Sequence, residues 1–363
     1  ISVDVAAKGG GSENKSKFKM MNPSDNIVDW VLEMLPQMGA GWCPPGMLGI
    51  GIGGTAEHCM ALAKKSLMEP IDMAQLKARG AQNDIEALRI EIFDKVNALG
   101  IGAQGLGGLS TILDVKILDW PCHAAGKPVA MIPNCAATRH AHFTLDGSGP
   151  SFLETPKLDE WPKVNWAPDA AAKRVNLDTL TAEEVRSWKQ GDRLLLNGKM
   201  LTGRDAAHKR IQDMLAKGEE LPVDFKGRAI YYVGPVDPVL GEVVGPAGPT
   251  TATRMDKFTD MMLDLGLLTM IGKAERGQGA VDCIAKHKVA YLMAVGGAAY
   301  LVARAIREAK VVAFEDLGME AIYEFAVEDM PVTVAVDSEG NNVHKLAPLV
   351  WQEKIAREGL LAK

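Results

Sequence analysis

The sequence predicts an α/β protein in two domains, the second built around a mixed sheet. Its 363 residues exceed what a single hydrophobic core usually holds, so two units of roughly 150 to 200 residues are expected. From Gly147 to Asn176 periodicity disappears and prolines recur at Pro150, Pro156, Pro162 and Pro168, the composition of a linker. Beyond it, short apolar runs alternate with helical stretches, the pattern of strands connected through helices. The expected division is 1–150, a linker at 151–173, and 174–363.

The opening "ISVDVAAKGGG" reads as a strand entered midway, with neither an initiator Met nor a signal-peptide pattern, so the natural N-terminus is expected upstream of Ile1. A loop "KGGGSENKSK" follows. Ile27, Val28, Val31, Leu32 and Leu35 then recur at helical spacing behind Ser24 and Asp25, either of which could cap the helix. Asp72 to Leu99 reads as a long amphipathic helix interrupted at Gly80, and "STILDVKIL" and "KPVAMIP" read as strands.

In the second half, Thr181 and Glu184 form a capping box, "DRLLLNGKMLTG" carries a hairpin signal at Asn197-Gly198, and Asp205 to Lys217 is helical. "RAIYYVGP", "LLTMIGKA", "VAYLMAVGG" and "KVVAFED" read as strands, and "SEGNN" as the turn of a terminal hairpin.

Composition narrows the function. Forty basic against 46 acidic residues leave a net charge of −6, which argues against a nucleic-acid partner because phosphate binding calls for a basic stripe. No run of about eighteen apolar residues is present, so no membrane-spanning helix is expected. Five cysteines are too sparse for a disulfide framework and fit a reducing, cytoplasmic compartment.

Ligands of open α/β sheets gather where strands end and loops turn into helices. Three such loops here bear cations: Arg204 in "LTGRDAAHKR", Arg254 at the end of "GPAGPTTATR", and Lys273 in "MIGKA". A lone cation at such a turn is usually just solvated, but three of them in Gly- and Thr-rich turns suit a small di-anionic acid.

Cys43 in "GWCPPG" and Cys135 in "NCAATRH" lie in stiffened loops and are candidates for metal ligation or nucleophilic chemistry, whereas Cys59 and Cys283 read as small buried hydrophobes. Cys122, His123, Cys135, His140 and His142 follow C-H-x₁₁-C-x₄-H-x-H, in which the adjacent Cys122 and His123 are badly spaced to serve one zinc ion. Gly49-x-Gly51-x-x-Gly54 formally matches a dinucleotide fingerprint and would support a nicotinamide-dependent oxidoreductase. No strand ending in an acidic residue follows at the required distance, and close helix–sheet packing explains the glycines equally well. A non-catalytic dicarboxylate-binding protein is a further alternative.

Across nearly the whole chain, "KGGGSENKSKF", "MGAGWCPPGMLGIGIGGTAE", "GIGAQGLGGL", "KPVAMIPNCAATRHAHF", "LLLNGKMLTGRDAAHKRI", "VVGPAGPTTATRMDKF" and "AFEDLGMEAIYEF" resemble the class I, iron–sulfur-dependent fumarate hydratases and their L-tartrate dehydratase relatives. The resemblance implies an α+β cluster-binding domain, here incomplete at its N-terminus, and a swivelling C-terminal domain of β/β/α type. It also implies a homodimer, a dicarboxylate substrate and reversible dehydration of (S)-malate to fumarate, with L-tartrate dehydration as the near alternative.

By the same resemblance, Cys43 and Cys135 hold a 4Fe–4S cluster with a third cysteine upstream of Ile1, so that this chain alone would hold the cluster poorly. Arg204, Arg254 and Lys273 clamp carboxylates, Gly9 or Gly10 donates a backbone N–H, His123 hydrogen-bonds substrate from beside the cluster, and Thr250 takes part in proton abstraction. An unassisted hydroxyl is too weak a base for that last role near neutral pH and would need activation. Cys122 stands where relatives often have threonine and carries no expected redox role.

Overall fold

The computed structural model describes residues 1–151, 171–239 and 241–361. Most of the expected linker at 151–173 therefore lies outside the described residues.

The chain forms two sheets. The first is four-stranded, from β1 (Lys17–Met21), β2 (Gly46–Gly53), β3 (Ile112–Trp120) and β4 (Lys127–Asn134), in the order β1-β4-β2-β3. No strand forms before Lys17. Residues 1–9 are irregular and Val3 and Val5 are exposed, so the opening segment pairs with no strand of this sheet.

The helix Ile27–Met38 begins at Asn26, whose side chain accepts from the N–H groups of Val28 and Asp29, so the cap is neither Ser24 nor Asp25. It buries Val28, Val31, Leu35 and Met38 against the first sheet and ends at Gly39, φ +61°. The helical region after Asp72 is split as its glycine suggests, into Met73–Arg79 and Asp84–Ala98, with Gly80 closing the first piece.

The glycines of β2 are packing residues. A Cβ on Gly51 would stand 2.0 Å from the Cys59 carbonyl oxygen, and one on Gly49 would stand 2.4 Å from that of Ala63. The helix Ala56–Ser66 thus rests directly on the strand backbone, which accounts for the dinucleotide-like spacing by close approach alone.

The second sheet holds β5 (Lys173–Asn176), β6 (Arg193–Thr202), β7 (Ala229–Tyr231), β8 (Thr269–Gly272), β9 (Ala290–Met293), β10 (Ile306–Ala313) and β11 (Ile322–Val336). Strands β5 to β9 pair in parallel, and the long β11 runs antiparallel to β10, β6 and β9. Because β11 touches both β6 and β9, the circuit β6-β7-β8-β9-β11 closes on itself and leaves those strands without free edges. Val175, Leu194, Leu196, Tyr231, Ile271, Leu292 and Val334 belong to one core of this half.

Two turn expectations are corrected here. Asn197-Gly198 makes no hairpin: β6 runs straight through it because β5 and β11 flank it on both sides. The pair sits beside the register shift of β11 between Val327 and Met330, where the Asn197 side chain accepts from Asp329 N–H. Likewise "SEGNN" leads into the helix Val343–Glu358, started by Asn342, which accepts from His344 N–H. That last helix packs back on the first half: a Cβ on Gly107 would stand 2.2 Å from Trp351 Cδ1, and one on Gly100 2.7 Å from Gln352 N.

Candidate functional site

Cys43 precedes β2 and Cys135 follows β4, and these antiparallel strands pair with Met47 opposite Asn134. The register therefore brings the two cysteine loops to the same end of the sheet, where Ala136 N–H donates to the Cys43 carbonyl at 3.4 Å. Gly46 permits this, since a Cβ there would lie 2.0 Å from the Asn134 carbonyl oxygen. Cys43 is 2 % exposed and holds a left-handed φ of +60°, a strained conformation for a side-chain-bearing residue.

The thiols interact. The Cys43 thiol donates toward Cys135 and, with help from the Ala137 N–H and the ammonium groups of Lys273 and Lys8, holds the Cys135 thiol down to about 6. Cys43 moves the opposite way, raised by that same bond and by burial. The bond thus favours the thiolate on Cys135 and the thiol on Cys43, a donor set suited to a soft metal centre.

The second sheet supplies the cover. Strands β6 to β9 are parallel, so the loops that follow them emerge on one side. After β8, Lys273 Nζ reaches 3.0 Å from Cys43 Sγ and 3.3 Å from the Gly41 carbonyl oxygen. Glu275 in the same loop accepts from Ala40 N–H at 2.7 Å and pairs with Lys15 at 3.8 Å. Gly296 and Gly297, after β9, lie over the sulfurs: a Cβ on Gly296 would be 2.6 Å from Cys43 Sγ, and one on Gly297 3.3 Å from Cys135 Sγ. Only glycine lets this backbone approach so closely.

The remaining predicted residues divide into near and far. Thr250 is 8 % exposed and lies beside Lys273, whose N–H donates to the Thr250 carbonyl at 3.0 Å. The neighbouring Thr251 forms the bridge to Lys273. Arg204, at the start of the helix Asp205–Lys217, lies against Gly234 and pairs with Glu320 at 3.1 Å. Arg254 forks onto Asp205. Both arginines thus stand together among carboxylates of the second half, while Lys273 is the cation that meets the thiols.

Gly9 and Gly10 are exposed, at the start of the short helix Gly10–Glu13. Their neighbour Gly11 is the one packed into the site, where a Cβ would meet the Gly41 carbonyl oxygen at 2.7 Å and Lys273 Nζ at 3.0 Å.

His123 stands apart. It is exposed in the turn between β3 and β4, with Nδ1 accepting from Ala125 N–H, and the full eight-residue length of β4 separates that turn from Cys135. The same separation removes Cys122 and His123 from any zinc set with Cys135. Cys59 is buried on its helix as expected, with Sγ against the Gly51 carbonyl oxygen, whereas Cys283, on the helix Gln278–His287, is only half-buried.

Sequence reasoning gave no role to Gln104, Glu275, Gly296 or Gly297. Their signals were a lone amide inside the glycine-rich "GIGAQGLGG" and a Gly-Gly pair directly after an apolar strand.

Comparison with known proteins matches the same two halves. Residues 1–144 match the family model described as fumarate hydratase, and residues 147–347 that described as fumarase C-terminus. The chain is 32 % identical over 355 residues to the anaerobic class I fumarate hydratase of Escherichia coli K12, covering 93 % of this chain and 64 % of that protein. It is 30 % identical over 375 residues to a putative class I fumarate hydratase of Geobacillus stearothermophilus, covering 95 % and 70 %. Residues of the chain are also 44 % identical over 144 residues to a putative L(+)-tartrate dehydratase subunit alpha of Methanocaldococcus jannaschii, covering 39 % and 49 %. The chain spans 60 to 64 % of the length of several of these class I relatives. With the cysteine loops inside one matched half and the cationic loops inside the other, the chain belongs to the class I fumarate hydratase family.

Proposed function

We propose that the chain acts as a hydro-lyase that interconverts (S)-malate and fumarate, with Cys43 and Cys135 as two of the three thiolates of a 4Fe–4S cluster. The observation that carries this reading is the contact of Lys273, from the second sheet, with Cys43 of the first. It joins a cation suited to a carboxylate to a paired thiol site. The donor set fits two corners of such a cluster: the Cys135 thiolate is favoured by its neighbours, the two sulfurs face one another, and the adjoining backbone is glycine. When bound, a cluster with an iron free of protein ligands supplies a Lewis acid for the departing hydroxyl.

The chain's own residues do the rest. Lys273 places a positive charge at the thiol site, where it grips a substrate carboxylate and stabilises the negative charge that develops beside it. Arg204 and Arg254 are assigned to the far carboxylate, which would exchange with Glu320 and Asp205 as their partner. Thr250, nearly buried next to Lys273, is assigned to proton transfer at the carbon next to the hydroxyl, with activation from a neighbouring group. A backbone N–H of Gly9 or Gly10 is assigned to substrate, at the rim beside Gly11. His123, exposed in the turn at the far end of β4 from Cys135, is assigned no contact with substrate here.

The same reading includes two domains, 1–150 and 174–363, that swivel across the seam bridged by Lys273 and Glu275, a homodimeric assembly, and a cytoplasmic setting. Among the described residues no helix is long and apolar enough to cross a membrane. L-Tartrate dehydration is the second reading, favoured by the 44 % identity of the tartrate dehydratase subunit over the cysteine-bearing half. Steady-state assays of the full-length, anaerobically reconstituted protein with malate and L-tartrate decide between them. Preferred turnover of tartrate would end the fumarase assignment, and no turnover of either diacid with an intact cluster would end both.

A further inference from the structure

We infer that Gln104 is a positioning residue that latches the Gly296–Gly297 loop of the second half over the two thiols of the first. The inference rests on the reading of Cys43 and Cys135 as one paired thiol site. Gln104 is 6 % exposed, and every polar atom it owns is spent at this seam. Its Nε2 donates to the Pro44 carbonyl at 3.0 Å and to the Gly296 carbonyl at 3.3 Å, while its Oε1 accepts from Gly296 N–H at 2.9 Å. Its own backbone N–H donates to the Pro44 carbonyl at 2.7 Å, and its carbonyl faces His344 Nε2 at 3.2 Å.

One side chain therefore holds the residue after Cys43 and, 192 positions away, the glycine whose backbone lies over Cys43 Sγ. A carboxamide is the group for this task because it offers a donor and an acceptor side by side without charge, matching the N–H and C=O of a single residue. The backbone at Gln104 has a φ of +57°, in the left-handed region that glycine occupies easily and glutamine does not. Flanking Gly102, Gly105 and Gly107 have positive φ as their type permits, so this position keeps a strained glutamine where glycine would relieve the strain. The side chain is what the strain secures.

Gln104→Glu tests the latch. The substitution keeps shape and volume but removes both Nε2 donors and sets a third oxygen against the Pro44 and Gly296 carbonyls, so the glycine loop should lift from the sulfurs. The readout is the alkylation rate of each cysteine by iodoacetamide in the cluster-free 363-residue chain, resolved by peptide mass spectrometry. Cys43, 2 % exposed, should react at least tenfold faster in the variant, while Cys59, fully buried and held on another helix, should stay at its wild-type rate.

An unchanged Cys43 rate overturns the proposal, and so does a rise of Cys59 in step with Cys43, which would mean general loosening of the fold. If Gln104→Glu does not fold, Gly296→Ala gives the same test from the other side, since its Cβ would press on Cys43 Sγ and on Gln104 Oε1 at 2.9 Å. It should release Cys43 selectively, and failure to do so also refutes the latch. The labelling needs neither cluster nor substrate, so absent malate turnover in the reconstituted full-length wild type would sink the functional reading and leave this contrast standing.

Discussion

Lys273 Nζ stands 3.0 Å from Cys43 Sγ, although the two residues belong to different sheets and lie 230 positions apart. Its loop is pinned on both sides: Glu275 takes the Ala40 N–H of the first half, and Ala274 between them holds a left-handed φ of +64°. A flexible lysine is thereby aimed by a stiff turn. Replacing Lys273 with Ala should lower kcat/KM for malate by at least about 100-fold, the usual scale for removing one charged group that contacts the transition state. Lys273→Arg should recover little, because Gly11 and Gly41 crowd the space that a guanidinium fork needs. Near-normal kinetics in the alanine variant would remove Lys273 from the site.

In the full-length protein, with the third cysteine expected upstream of Ile1 present, Cys43→Ser and Cys135→Ser should each abolish the visible absorbance that follows anaerobic reconstitution with iron and sulfide. Cys59→Ser, Cys122→Ser and Cys283→Ser should retain it, since those residues lie on a packing helix, in the β3–β4 turn and on the helix Gln278–His287. Retained absorbance in both of the first two variants would show that the paired thiols are not ligands.

Gly51→Ala tests whether the β2 glycines serve packing. The added methyl would sit 2.0 Å from a helix carbonyl and can be relieved only by moving the helix Ala56–Ser66, at a cost of about 2 to 3 kcal/mol. The measurement is the shift of the unfolding midpoint in urea at constant slope. A neutral substitution would mean the helix rests less closely on the strand.

His208 provides a pH signature. It is fully buried between Tyr232 and Phe258 with Nδ1 on the Arg204 carbonyl oxygen, and burial pushes its ring down to about 4 from the ordinary 6.5. Between those values the unfolded chain takes up a proton that the folded chain refuses, so stability rises with pH through this window. The ring carries no penalty above about pH 6.5, and the loss reaches about 3 kcal/mol once pH falls below about 4. His208→Gln should flatten the slope of unfolding free energy between pH 4 and 6.5. An unchanged slope would show that the ring titrates normally.

Much of the local structure was legible because it depends on short-range chemistry. Thr181 caps its helix by accepting from Glu184 N–H, Asp205 and Lys217 bound theirs as expected, and the apolar runs became strands. The turn failures depend on longer range. Asn197-Gly198 carries the right residues for a hairpin, but whether a chain turns there depends on what lies beside it, and β5 and β11 occupy both flanks of β6. "SEGNN" was misread in the same way: only the single bridge of Val336 to Asn342 forms across it before the last helix begins.

The sequence alone determined which residues could do chemistry: two cysteines in stiff loops, and three cations where strands end, types whose reactivity belongs to the side chain itself. Only the tertiary structure decided which of them meet. The antiparallel pairing of β2 with β4 puts Cys43 next to Cys135 and sends His123 to the opposite end, and the β8 loop gives Lys273, not the arginines, to the sulfurs. Proximity between distant positions follows from strand register and loop direction, and neither is written in any one stretch of residues.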